Sequence, residues 1–267
     1  MHRFLDVNGL RLAYVDFGGS GPALLLLHGL FGRATTWAQT AAWLTPHFHV
    51  VGLDQRGHGL SDKPEKAYSR DEFVDDAIGV MERLDLGPAV IVGHSMGALN
   101  AWVLAARRPD LVRGLVLEDQ SAATGDPRGG AWVSDWLSKW PVPFLTMAAV
   151  REYFHGVRPS FADYFSEVMV EIPEGYRPLF ETRHMVQAAD QINVRDHWQE
   201  IDQVGCPALV VKGGESDAPR EELQEMARRI PGGRYAEVAG AEHVVHYDKP
   251  REWCEAVEPF LLELRRA

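Results

Sequence analysis

Ser95 is the residue whose surroundings carry the strongest chemical signal in the sequence. It is the centre of the pentapeptide G-H-S-M-G at 93–97, between an apolar run at 89–92 and a helix-favouring run at 98–106. A serine on such a sharp strand-to-helix turn holds its hydroxyl clear of the backbone, and the flanking glycines leave room for the turn. The N–H groups at the start of the following helix favour nearby negative charge. The pattern predicts a nucleophile, against the alternative of a glycine-rich turn with an incidental serine.

A neutral hydroxyl is a poor nucleophile, so this chemistry also needs a base and an acid that orients the base. His243 closes the loop that follows the last predicted strand, and Asp217 follows another buried strand and two glycines. The chain order Ser, Asp, His is one of the known orders of serine hydrolases. We therefore expect Ser95, Asp217 and His243 to be the catalytic residues. Asp119, which also ends a strand, is the alternative acid, and His246 is the alternative base.

A second glycine-containing loop, at 28–32, follows the buried run at 23–27. Glycines after a buried strand let the backbone turn and present N–H groups to a ligand. We interpret the backbone N–H groups of Leu30 and Met96 as an oxyanion hole. The alternative is an ordinary strand-to-helix loop that His28 braces.

The elements that must position these residues can be read from periodicity. Continuous apolar runs of this kind are typical of strands in a parallel sheet, and ligand sites in such sheets lie beyond the carboxyl ends of the strands. Asn8-Gly9 predicts an opening hairpin of 4–7 with 10–17. Strands are predicted at 23–27, 49–53, 89–92, 112–117, 207–212 and 234–238, and helices at 69–85, 98–106, 219–229 and 250–265.

The character of the sequence changes between residues 121 and 200. This segment lacks a buried-strand pattern and is rich in aromatic residues and proline. We expect a helical lid inserted between two parts of one α/β core, residues 1–120 and 201–267. Most of its aromatic side chains should pack the lid onto the core, and a few should face the site and make the pocket apolar.

Composition limits the partners. Basic residues number 27 and acidic residues 38, which gives a formal net charge of −11. Such a surface repels nucleic acid and anionic membranes, so neither is an expected partner. The partner that the serine chemistry leads us to expect is a small-molecule ester. The first residues lack the apolar stretch of a signal peptide, and only two cysteines occur, which favours a cytoplasmic location. No membrane insertion is expected, the proposed chemistry needs neither a metal nor an organic cofactor, and homo-oligomerisation is left open.

Five short motifs in order give the sequence a resemblance to the α/β-hydrolase superfamily over essentially the whole chain. They are H-G-L-F-G at 28–32, D-Q-R-G-H-G-L-S-D at 54–62, G-H-S-M-G at 93–97, G-E-S-D at 214–217 and G-A-E-H at 240–243. The resemblance implies a mostly parallel eight-stranded sheet flanked by helices, with a helical cap after strand six. It also implies a serine esterase or lipase-like activity with Ser95, Asp217 and His243 as the triad. Relatives with aspartate at the nucleophile position, the dehalogenases and epoxide hydrolases, fit less well.

Several activities share this triad. A carboxylic ester hydrolase is the first expectation, and a carbon–carbon bond hydrolase, a lactonase or a cofactor-free perhydrolase would use the same residues. A non-catalytic, receptor-like member of the superfamily is the alternative from a different class. These possibilities differ in lid and pocket, which the sequence leaves open.

Overall fold

An eight-stranded sheet organises the chain in a computed structural model, which describes residues 2–123, 128–192 and 194–266. Its strands are β1 (His2–Val7), β2 (Leu10–Gly18), β3 (Ala23–Leu27), β4 (His49–Leu53), β5 (Ala89–His94), β6 (Val112–Glu118), β9 (Ala208–Gly213) and β10 (Arg234–Val238). The strands β7 (Met169–Ile172) and β8 (Gly175–Pro178) form a separate pair. The order across the sheet is β1-β2-β4-β3-β5-β6-β9-β10. Among the described strands of this eight-stranded sheet, only the pairs β1–β2 and β2–β4 are antiparallel. The expected mostly parallel sheet is confirmed.

Helices cover both faces of this sheet. The helices are α1 (Ala38–Leu44), α2 (Arg70–Arg83), α3 (Met96–Arg107), α4 (Gly130–Ser138), α5 (Met147–Val157), α6 (Phe161–Glu167), α7 (Thr182–Ile192), α8 (Trp198–Gln203), α9 (Arg220–Arg229), α10 (Val245–Asp248) and α11 (Pro250–Arg266). None of the helices in the described residues is both long enough and apolar enough to cross a membrane.

The apolar runs become central strands because both of their faces are covered. Leu25 and Leu27 of β3 pack into a core formed with α2 and α3, while Leu24 and Leu26 pack into a second core that includes Trp37 and residues of α11. All four leucines are fully buried. Alternation of side chains across the sheet therefore divides one continuous apolar run between two hydrophobic layers.

Local signals set the first elements of the chain. Asn8 and Gly9 both have positive φ, 52° and 77°, which is the backbone of the tight turn that joins β1 to β2. At the start of α2, the Ser69 hydroxyl accepts from the Glu72 N–H and the Glu72 carboxylate accepts from the Ser69 N–H. This capping box confirms the predicted helix start.

Residues 121–200, which we call the cap segment, lie between β6 and β9. Its described part holds the helices α4 to α7, the first residues of α8, and the antiparallel hairpin β7–β8, which the sequence analysis did not anticipate. Its aromatic side chains form a third hydrophobic cluster with Leu30, Phe31, Met96 and Val244, all of which follow the carboxyl ends of core strands. The cap segment therefore covers the edge of the sheet at which these strands end.

Candidate active site

Ser95 stands alone between the last residue of β5 and the first residue of α3. Its φ of 52° and ψ of −119° lie in a region that non-glycine residues rarely adopt. The Ser95 N–H donates to the Glu118 carbonyl at 2.8 Å, and its own carbonyl accepts from the Ala98 N–H at 2.9 Å. These bonds hold the strained residue between the neighbouring strand β6 and the first turn of α3.

The glycines on either side of Ser95 are required by close backbone contacts. A Cβ at Gly93 would lie 2.4 Å from the Gly97 carbonyl oxygen, and a Cβ at Gly97 would lie 2.1 Å from the Leu27 carbonyl oxygen. Both distances are shorter than a van der Waals contact, and the backbone atoms involved cannot move aside. The G-x-S-x-G pattern is thus a packing requirement of the turn between β5 and α3.

His243 is held by a carboxylate from the end of β6. Its Nδ1 lies 2.8 Å from Oδ2 of Asp119, whose side chain is fully buried. The Asp119 carboxylate also accepts from the Gly213 N–H at 3.0 Å and from the Ser216 hydroxyl at 2.5 Å. Three donors therefore fix the orientation of this carboxylate, and the imidazole is bound to it through Nδ1.

The predicted pairing of Asp217 with His243 is wrong in the structure. Within the described residues Asp217 makes no hydrogen bond to His243, and it lies exposed at the wall of the cavity. The side chain that reaches the acid position from this loop is Ser216, and it binds Asp119. The loop after β9 thus supplies a hydroxyl that supports the acid instead of supplying the acid. Asp119, the alternative in the sequence analysis, is the residue that contacts the imidazole.

His246, the alternative base, is buried and bound to a different carboxylate. Its Nδ1 lies 2.7 Å from Oε1 of Glu118, and its side chain is 2% exposed, whereas the His243 side chain is 47% exposed. Only His243 of these two lines the cavity with Ser95.

Of the two residues predicted to form the oxyanion hole, Leu30 lines the cavity, and Met96 directly follows Ser95 without being among the lining residues. Leu30 and Met96 are buried, and within the described part of the chain neither N–H has a hydrogen-bond acceptor. Met96 is the first residue of α3, so its N–H belongs to the unpaired set at a helix start. Phe31, directly after Leu30, has a φ of 74° that turns the loop away from β3. The role of these two N–H groups as an oxyanion hole stays a prediction.

The surroundings of His243 set its proton affinity. Burial alone opposes the charged form, but the hydrogen bond to Asp119 and the charges of Asp119 and Glu118 outweigh it, so the pKa of His243 is raised above its ordinary value of 6.5. The positive charge of Arg158 lowers the pKa of His243. In neighbouring His94, burial and the two histidines beside it hold the pKa well below the ordinary value. His243 is therefore the histidine of this cluster that is placed to exchange protons.

The cavity above Ser95 has a volume of about 720 Å³. Its lining combines aromatic and polar side chains, which we call the aromatic wall and the polar wall. The aromatic wall contains Phe31, Trp132, Trp136, Phe161, Tyr164 and Phe165, and the polar wall contains Gln120, Arg128, Asp135, Arg158, Glu215, Asp217 and Glu242. Trp136 contacts both Phe31 and Phe165, with ring centroids 5.1 and 5.5 Å apart, so it joins the cap segment to the loop after β3.

Arg158 is the cavity residue that the sequence analysis missed. It follows α5 in the cap segment, and its guanidinium pairs with Glu242, the residue before His243. Its Nη1 lies 3.7 Å from Oδ2 of Asp248. Burial is the main influence on Arg158, and it lowers the pKa of the guanidinium. An isolated arginine in a loop between two predicted helices gave no signal in the sequence.

We also searched the described residues for side chains that could bind a metal ion. Among the described residues, no group of three or more histidine, cysteine, aspartate or glutamate side chains is arranged to hold a metal ion.

Comparisons with known proteins agree with this geometry. Residues 22–250 match the model of the α/β-hydrolase fold family. The 2-(acetamidomethylene)succinate hydrolase of Mesorhizobium japonicum is 31% identical over 97% of this chain and 94% of its own length. The N-formylmaleamate deformylase of Pseudomonas putida is 30% identical over 91% of this chain and 90% of its own length. The crystal structure of an E-2-(acetamidomethylene)succinate hydrolase superposes with a TM-score of 0.89 at 30% identity, covering 98% of each chain. The chain belongs to the α/β-hydrolase family, and its activity is that of a hydrolase.

Proposed function

We propose that this chain is a serine hydrolase that forms an acyl-enzyme on Ser95 and cleaves carboxylic esters of small to medium size. The observation that carries the proposal is the 2.8 Å bond between Asp119 and His243 in the cavity that Ser95 also lines. A nucleophile, a base and an acid that orients the base are the groups that acyl transfer requires.

The reaction proceeds in two halves. The Ser95 hydroxyl attacks the substrate carbonyl while Nε2 of His243 takes its proton, because Nδ1 is bound to Asp119. The N–H groups of Leu30 and Met96 bind the oxyanion of the tetrahedral intermediate. His243 then protonates the departing alkoxide, and in the second half it activates water against the acyl-enzyme. The described residues contain no hydrogen bond from the Ser95 hydroxyl to His243, and we expect this bond to form when substrate binds, as catalytic hydrogen bonds often tighten at that stage.

The cavity supports an apolar acyl or alcohol group. Its aromatic wall would lie against an alkyl or aryl chain, and Trp136 is the residue that joins the two sides of that wall. The cavity volume of about 720 Å³ lies within the range of about 300–1,000 Å³ that small-molecule sites occupy.

The test is hydrolysis of p-nitrophenyl esters of increasing acyl length by the wild type, Ser95→Ala and a control, Ser138→Ala. Ser138 is an exposed serine at the end of α4 in the cap segment. We expect activity that disappears in Ser95→Ala, persists in Ser138→Ala and passes through a maximum with chain length. Equal activity in the wild type and Ser95→Ala would remove Ser95 from the mechanism.

A second candidate is hydrolysis of an N-acyl compound that carries a carboxylate. Two relatives are named for such compounds, an acetamidomethylene succinate and an N-formylmaleamate. The observation that favours this candidate is Arg158, a cation on the cavity wall beside Glu242. Its guanidinium could exchange the Glu242 carboxylate for a carboxylate of the substrate, since arginine binds carboxylates through paired N–H groups. The same triad would then cleave an amide acyl group.

The second candidate is tested with 2-(acetamidomethylene)succinate and its dimethyl ester as paired substrates. If Arg158 binds the carboxylate, the wild type should prefer the free acid, and Arg158→Gln should raise KM for the acid alone. Arg151→Gln, at an exposed position on α5, is the control. Equal KM values for acid and ester in the wild type would contradict this candidate and leave the ester hydrolase proposal intact.

A further inference from the structure

A second carboxylate–imidazole pair lies directly behind the one in the cavity. Glu118 precedes Asp119 in the chain, and His246 follows His243 by three residues. Nδ1 of His246 lies 2.7 Å from Oε1 of Glu118, and the side chains are 2% and 0% exposed. The end of β6 and the segment that carries His243 are therefore joined twice, once inside the cavity and once in the core.

The buried pair also fixes the start of α10. The His246 N–H lies 3.4 Å from Oε1 of Glu118, so one carboxylate oxygen faces both the side chain and the backbone of this residue. The His246 ring stacks on Trp37 at 3.9 Å with an interplanar angle of 15°. Stacking and hydrogen bonding together leave the ring one orientation.

His94 holds the same segment from the side of β5. Its Nε2 donates to the His243 carbonyl at 2.9 Å, because a carbonyl oxygen can only accept. Its ring lies 4.8 Å from that of His243 and 5.4 Å from that of His246. The backbone of His243 is thus anchored on one side by His94 and on the other by the turn that Glu118 binds.

The buried pair contributes little to the stability of the fold, because burying its two ionisable side chains costs free energy. Within the described residues, Oε2 of Glu118 and Nε2 of His246 are buried without hydrogen-bond partners. Removing two such groups from water is expensive, and apolar side chains of similar volume often stabilise a protein as much or more. A role in geometry explains why ionisable side chains occupy these positions.

We propose that Glu118 and His246 are positioning residues that hold the segment carrying His243, so that its imidazole stays bound to Asp119 and faces Ser95. The inference rests on the proposed function, because its readout is the reactivity of Ser95. The charge of Glu118 also contributes to the raised pKa of His243. The charged and titratable groups around the two pairs are His94 on β5, Arg158 and Tyr164 of the cap segment, and Tyr247 on α10.

The experiment measures the rate at which a fluorophosphonate ester labels Ser95, because this rate depends on the base but not on the natural substrate. The variants are Glu118→Gln, which keeps an oxygen for the His246 N–H, and Glu118→Ala, which removes it. We expect labelling to slow by about ten- to a hundredfold in Glu118→Ala, in the range that supporting residues of a site typically contribute. Glu118→Gln should keep most of the plateau labelling rate, and its acid limb should move to lower pH because the charge that helps to raise the pKa of His243 is lost.

The control is Asp76→Asn, which alters another buried ion pair, with Arg56 at 2.7 Å, away from the cavity. It should lower the melting temperature and leave both the labelling rate and its pH profile unchanged. Wild-type rates and an unmoved acid limb in both Glu118 variants would overturn the inference. If Glu118→Ala does not fold, the labelling rate of His246→Gln, which breaks the same buried pair, decides, and a wild-type rate in that variant would overturn the inference. Failure of the wild type to be labelled at all would instead overturn the proposed function.

Discussion

Gly29 lies against His94 and Ser95 so closely that an added Cβ would stand 2.6 Å from Nδ1 of His94 and 3.2 Å from Cβ of Ser95. The loop after β3 and the turn after β5 therefore touch through a position that has no side chain. A side chain at position 29 would therefore have to move either this loop, which carries Leu30, or the turn that carries Ser95.

Gly29→Ala should push the loop that carries Leu30 away from Ser95 and weaken oxyanion binding. We expect kcat on the best p-nitrophenyl ester to fall by about a hundred- to a thousandfold, as when one oxyanion donor is lost. Gly156→Ala is the control, since a Cβ at this exposed position in α5 meets nothing within 4 Å. That variant should keep wild-type kcat. A Gly29→Ala enzyme with normal kcat would show that the loop does not contribute an oxyanion donor.

Asp119→Asn and Asp217→Asn separate the two acids that the sequence offered. Asn at 119 keeps the shape but offers the imidazole Nδ1 an amide in place of the carboxylate, so kcat should fall by about 10⁴-fold. Asp217→Asn should stay near the wild-type value, because Asp217 does not contact His243 in the described structure. Steady-state kinetics on one ester suffices. The reverse ranking of the two variants would return the acid role to Asp217.

The charge of Arg158 should affect the pH dependence of kcat/KM. His243 must be neutral to accept a proton, so kcat/KM falls as the pH drops below the pKa of His243, which lies above its ordinary value of 6.5. Arg158 lowers this pKa, so Arg158→Met should raise it and move the acid limb to higher pH. Arg151→Met, at an exposed position on α5 and paired with Asp163, is the control. A limb that moves to lower pH, or moves equally in both variants, would contradict the prediction.

His28 should make the fold sensitive to acid. Burial is the main cause that lowers its pKa to about 4 from 6.5. Between pH 6.5 and pH 4 the imidazole of His28 is protonated in the unfolded chain but not in the folded one. The contribution of His28 to the free energy of unfolding is therefore fully present above about pH 6.5 and is lost as the pH falls toward 4. The difference corresponds to about 3 kcal/mol of unfolding free energy. Urea unfolding of the wild type and His28→Gln from pH 7 to pH 4 measures it, and the variant should show a shallower loss. Parallel curves would exclude His28 as the source.

Much of the fold is encoded in short stretches of sequence. The turn at Asn8 and Gly9, the run at 23–27 and the corner at Ser95 each depend on neighbours within a few residues, so their structures could be predicted. The hairpin β7–β8 was missed because its strands are four residues each and only partly buried. An apolar pattern that short carries little signal.

The acid could not be assigned from sequence because two carboxylates satisfy the same local rule. Asp119 follows β6 and Asp217 follows β9, and these strands are neighbours in the sheet. Which one meets His243 depends on the path of each loop in three dimensions. In the structure Gly213 and Ser216 turn the second loop toward Asp119 as hydrogen-bond donors. Arg158 was missed for a related reason, since its role depends on a contact with Glu242, 84 positions away along the chain.

The position of Asp119 at the end of β6 places it immediately before the chain departs for the cap segment. Ser95, Leu30, Met96 and Asp119 are therefore all encoded before the insertion begins, and His243 alone comes from beyond it. The cap segment can change in length or sequence without separating the nucleophile from the acid that serves its base. Replacement of the cap segment would thus exchange every aromatic residue of the cavity lining except Phe31 and leave Ser95, Asp119 and His243 in place.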